Sequence, residues 1–217
     1  MLKKLLIAFT MLFSLYYIFL FSHIAEGLTL IFKVIPMLLM IILATIQKPL
    51  HVRKYQLLII TGLIFCMIGD YTLQWFLVGL TSFLIGHIFY IAAFVTAHKQ
   101  QVPAWAKLIL LLYGAMMGIW LAGSVFQTGS TLLGIAVLAY IAIIFTMGWT
   151  AIQTGSKFAT IGALLFIASD SYLAINKFVA PLAFSHEVIM LTYYSAQFLI
   201  SLSILQYSET RSKVIQY

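Results

Sequence analysis

The stretch "LIFCMIGDYTLQWF", residues 63–76, sets one carboxylate, Asp70, inside a run of side chains suited to lipid. One hundred residues later "LLFIASDSYLAINKF", residues 164–178, does the same with Asp170. Whether such runs cross a membrane decides the fold. Of the 217 residues, 64% are hydrophobic and only 8% are charged, against about 25% charged in a soluble domain. No soluble core hides that much apolar surface, so the chain reads as an integral membrane protein.

Eight apolar runs are long enough to span hydrocarbon: roughly 5–22, 28–46, 56–77, 79–98, 105–124, 131–152, 158–176 and 187–206. They predict an all-α, polytopic fold of eight transmembrane helices, forming a single transmembrane domain over residues 1–217. The connections are short and carry turn chemistry, as in "QKPLHVRK", "HKQQVPAW", "QTGS" and "QTGSK". The first run follows Lys3 and Lys4 but lacks an A-x-A-like cleavage site, so it reads as a helix rather than a signal peptide.

The net charge of +7 is no nucleic-acid patch, because the cations lie in short clusters between apolar runs. With eight spans, Lys3, Lys4, Lys48, Arg53, Lys54, Lys99, Lys107, Lys157, Arg211 and Lys213 fall on the side of the N-terminus, and only Lys177 falls in the opposite loops. By the positive-inside rule both termini are expected in the cytoplasm. A bacterial cell (inner) membrane is the expected residence. The single cysteine, Cys66, excludes an intramolecular disulfide and a thiolate-based zinc site; it reads as a small apolar filler.

The chain also resembles itself weakly. Gly62 precedes Asp70 by eight residues, as Gly162 precedes Asp170. Helices 3–4 and 7–8 therefore suggest a parallel 4+4 repeat, an architecture that places sites at the repeat interface.

Polar residues gather at one depth. Lys33 lies about one and a half turns into helix 2, and His87 about 12 Å into helix 4 at 1.5 Å per residue. Asp70, Asp170 and Gln197 lie at similar depth, in the half of the bundle away from the termini. Spacing of three or four residues puts Tyr90 on the face of His87, and Tyr193 and Tyr194 on the face of Gln197. Pro36 should kink helix 2 and free a carbonyl near Lys33. An intramembrane Asp or Lys costs about 2.5–3.5 kcal/mol, while an interhelical hydrogen bond returns about 0.6 kcal/mol. A purely structural pair is poorly compensated, so the aspartates and Lys33 are read as functional. His23, His51, His98 and His186 sit at or beyond span ends and read as solvated.

Two carboxylates in a low-dielectric pocket suit acid/base chemistry, one holding a proton while the other is ionised. Ser169 and Ser171 flank Asp170 as donors that would favour its ionised form, whereas Asp70 has apolar neighbours. Asp70 is therefore the better candidate acid. A zinc hydrolase wants three ligands, usually histidines, and the membrane interior offers His87; no metal is expected. No P-loop, dinucleotide fingerprint or G-x-S-x-G elbow occurs, so no cofactor is called for.

Five motifs in order, "FKVIPMLL", "IGDYTL", "GLTSFLIGHIFYIAAF", "ASDSYLA" and "YYSAQFLI", make the chain resemble the YhhN-type lysoplasmalogenase family from helix 2 to helix 8. The resemblance implies an eight-helix membrane enzyme that cleaves the vinyl ether of a lysophospholipid substrate drawn from membrane lipid. The products would be a fatty aldehyde and a glycerophospho-ethanolamine or -choline. It maps the proposed catalytic aspartates onto Asp70 and Asp170. Depth and spacing, not the resemblance, put Lys33, His87, Tyr90, Ser169, Tyr193, Tyr194 and Gln197 in substrate-binding or supporting roles. A hydrolase of another ether or ester lipid, and a proton-coupled transporter, stay open at this stage, as does the oligomeric state.

Overall fold

Hydrocarbon offers no hydrogen bonds to the backbone, so an apolar segment crossing it must satisfy its amides internally, as a helix does. The computed structural model describes residues 1–20, 26–47, 52–127 and 129–215, with the side chains of Glu26, Gly27 and residues 209–215 outside the description. It contains eight helices in these residues: α1 (Leu2–Leu20), α2 (Glu26–Ile46), α3 (Arg53–Thr72), α4 (Phe76–Thr96), α5 (Ala104–Gln127), α6 (Thr131–Gln153), α7 (Lys157–Phe178) and α8 (Ser185–Ile215). Each is long and apolar enough to cross a membrane. His23, Lys48 and His51, assigned from sequence to the span ends, lie outside the described residues.

Two boundaries differ most from the sequence expectation, for physical reasons. Helix α3 stops at Thr72 rather than near 77, and the chain turns through 73–75 into α4. Gly79 allows this: a Cβ there would lie 2.6 Å from Leu73 Cα, so the first turn of α4 packs directly on the turn. The segment holds no Pro, Gly or Asn to announce it. Helix α8 runs on to Ile215, because its polar end continues the helical hydrogen bonding beyond the apolar span, which closes near Ser208. Both "QTGS" turns behave as their chemistry predicts. Gly129 and Gly155 take positive φ of 79° and 67°, a region open to glycine, and the Ser156 hydroxyl caps α7 by accepting from the Ala159 amide at 3.1 Å.

The most extensive packing is α3 on α4 and α7 on α8. Equivalent glycines permit both. A Cβ on Gly62 would sit 2.3 Å from the Tyr90 ring, and one on Gly162 would sit 3.0 Å from the Ala196 carbonyl oxygen. Small residues at such crossings let membrane helices approach closely. The main core draws on all eight helices, α5 through Leu110, and a smaller cluster joins Met117, Leu121 and Val125 of α5 to Val137 of α6. Outward-facing apolar side chains such as Ile119 and Leu132, 78% and 71% exposed, are suited to lipid contact.

The described cations stand where the charge pattern puts them. Lys3, Lys4, Arg53, Lys54, Lys107 and Lys157 occupy first helical turns at one end of the bundle, and Lys177 closes α7 at the other.

Candidate active site

Asp70 sits in the last turn of α3, 3% exposed. Such a carboxylate needs strong partners, and two helices supply them. From α2, Lys33 Nζ lies 3.4 Å from Asp70 Oδ1 and donates to the Asp70 carbonyl oxygen at 3.1 Å. From α8, Tyr193 Oη donates to Asp70 Oδ2 at 2.6 Å. The neighbouring Tyr194 Oη donates to the Lys33 carbonyl at 2.7 Å, one turn before Pro36, where the proline interrupts the hydrogen bonding of α2. The two tyrosines thus hold both members of the ion pair.

Asp170, on α7, has a different environment. Tyr140 Oη, from α6, donates to its Oδ2. Among the described residues Oδ1 has no partner and no cation stands against the carboxyl. The flanking serines do not take the expected role: Ser169 Oγ donates to the Ile189 carbonyl at 3.0 Å. The polar support is therefore distributed opposite to the sequence expectation. The cation belongs to Asp70, and Asp170 relies on one tyrosine.

Both aspartates line one cavity of about 90 Å³, together with Lys33, Tyr140, Ser171 and Tyr193. The volume accommodates several water molecules. The rest of the wall is apolar, with Leu80, Met117, Leu121, Val137 and Ile144 among its side chains. A pocket of mostly apolar lining with a few convergent polar groups is the usual form of a small-molecule site.

A profile of the YhhN family matches residues 28–204, which include every candidate site residue from Lys33 to Gln197. The chain belongs to the YhhN family. Among similar proteins, human lysoplasmalogenase TMEM86B is 36% identical over 155 residues, covering 70% of this chain and 65% of the human protein. Bovine lysoplasmalogenase TMEM86A is 33% identical over 174 residues, covering 73% of this chain and 68% of its own. A lysoplasmalogenase homolog of Dictyostelium discoideum is 25% identical over 202 residues, 73% of this chain and 66% of the relative. No solved structure matches the chain.

Not every expected residue of this YhhN chain reaches the cavity. Tyr90 Oη donates to Gln197 Oε1 at 2.6 Å, and the two form a buried pair behind the cavity wall. His87 is wholly buried, its ring edge-on to Phe166 at 4.5 Å and to Tyr140 at 5.3 Å. Neither of its nitrogens has a hydrogen-bond partner among the described residues. It therefore supports the ring of Tyr140 rather than a carboxylate. His186, read as solvated, is half-buried, with Nε2 3.3 Å from the Tyr17 carbonyl oxygen. His98 is exposed, as read. Tyr140 is the residue the sequence reading missed. It stands in the apolar run "VLAYIAII" with no polar neighbour; its mid-span position, away from the tyrosine belts at membrane surfaces, was the available signal.

Proposed function

We propose that this protein hydrolyses the vinyl ether of a lysoplasmalogen, releasing a fatty aldehyde and a glycerophospho-head-group. The observation that carries this is the pair of inequivalent aspartates on one largely apolar cavity within the membrane span. The family relatives named lysoplasmalogenase support it and favour hydrolysis over transport.

Hydrolysis of a vinyl ether starts with proton transfer to the alkene carbon distal to oxygen, which leaves an oxocarbenium ion. Asp170 fits the acid. Oδ1 is open to hold the proton, and no cation is at hand to keep the group ionised. As the proton leaves, the new anion keeps the hydrogen bond from Tyr140, which strengthens with the developing charge; such an interaction favours the transition state over the ground state. Asp70, paired with Lys33, fits the standing anion that stabilises the oxocarbenium ion and takes a proton from the attacking water. Water adds to the cationic carbon; the hemiacetal then collapses as the proton held by Asp70 passes to the leaving glycerol oxygen and the hemiacetal hydroxyl proton returns to Asp170, giving aldehyde and alcohol. The net reaction consumes one water.

The purified protein can be offered three lysophospholipids of equal chain length, joined through a vinyl ether, a saturated ether and an acyl ester. Aldehyde from the vinyl ether alone is expected. Fatty acid from the ester, with no aldehyde, would replace the proposal by an ester-lipid hydrolase.

A further inference from the structure

We infer that Lys177 is the site for the substrate's phosphate, a role that rests on the proposed cleavage of a lysophospholipid. Lysophospholipids carry one phosphate on the glycerol, so an enzyme acting on them gains from a cation at a fixed distance from the reacting carbon. Lys33 is not available for this. Its ammonium is engaged by both the carboxylate and the carbonyl of Asp70. Among the described residues, Lys177 is the cation besides Lys33 at the carboxylate end of the bundle, in the last turn of α7.

Its position matches the need. Lys177 follows Asp170 by seven residues on α7, two helical turns that return it to the same face. The rise is about 10 Å at 1.5 Å per residue, and a glycerol unit with its ether and phosphoester oxygens spans a distance of that order. Lys177 Nζ lies 4.5 Å from the centre of the Phe76 ring, and that ring lines the cavity. Phe76 in turn meets Phe178 edge-on at 5.4 Å, and Phe178 is also a wall residue. The ammonium is thus held over the aromatic rim of the cavity that contains Asp170, in a cation–π contact. It has no acidic partner among the described residues.

A lysine in the last turn of a helix also suits the helix dipole, and that alone would explain a cation there. It would not explain why the side chain folds over a cavity residue. A phosphate at Lys177 directs the head group out of the bundle and leads the vinyl ether inward to the carboxylates.

The test compares two substrates with the same alkenyl chain, a 1-alkenyl-glycerophosphoethanolamine and the phosphate-free 1-alkenylglycerol, on the full-length protein in detergent. For K177A the account expects a KM raised about tenfold on the phospholipid, kcat nearly unchanged, and native kinetics on the phosphate-free substrate. K177R should retain most of the native KM. An unchanged KM in K177A, or an equal rise with both substrates, would overturn the inference while leaving the hydrolysis in place. Native protein that cleaves neither substrate removes the proposed hydrolysis, and the phosphate site with it.

Discussion

Replacing Lys33 by methionine strands the Asp70 carboxylate, 3% exposed, without its ammonium. Breaking a buried pair from one side costs about 3–5 kcal/mol. K33M should therefore unfold at a clearly lower temperature in detergent, and adding D70N should recover much of the loss. A native unfolding temperature for K33M would show that the pair carries no such weight. The Tyr140 hydroxyl makes a different kind of contribution, since its acceptor Asp170 has no cation to lose. Y140F keeps the ring that packs on His87 and removes only the donor. A hydrogen bond to a charged group is worth about 1.5–3 kcal/mol, so kcat should fall roughly 10- to 100-fold with KM little changed. A loss confined to KM would instead place Tyr140 in substrate binding.

Helix crossings set the positions of these side chains, and the two glycines eight residues before each aspartate set the crossings. A methyl group at Gly162 meets the Ala196 carbonyl oxygen at 3.0 Å, and backbone moves only with the helix. G162A and G62A should each lower stability by about 1–3 kcal/mol in thermal unfolding. G123A, with nothing within 4 Å of the added carbon, should be neutral. The number of helices was legible in the sequence, because a run of about twenty apolar residues has one stable form in lipid. The end of α3 was not. The turn at 73–75 uses ordinary residues and is fixed by Gly79 packing on Leu73, a contact that exists only once the helices meet. The depth of the polar residues was legible as well, since depth follows from position along a helix. Their partners were not. Depth alone gathered His87, Tyr90 and Gln197 with the aspartates, whereas rotation about each helix axis sends Tyr90 and Gln197 to one another and leaves Tyr140 facing Asp170. Five of the expected residues, Lys33, Asp70, Ser169, Asp170 and Tyr193, do line the cavity.

At the scale of the whole molecule, the bundle is polarised: cations cluster at one end, and the carboxylates lie toward the other. Reporters fused to each terminus should both read the cytoplasm, as the charge asymmetry requires; opposite readings would contradict an even number of crossings. That polarity suits a lipid substrate, whose head stays at the membrane surface while its chain lies between helices. Side chains of α4 to α8 give the cavity its apolar wall, and an alkenyl chain is chemically matched to it. The central claim is that Asp70 and Asp170 act together on a vinyl ether in this cavity. Its most direct test is aldehyde release from a lysoplasmalogen by purified native protein, D70N and D170N, each first checked for a native-like unfolding transition. The account predicts aldehyde from the native protein and a kcat reduced by about 10²–10⁴ in either folded variant. Full activity in either one would contradict it.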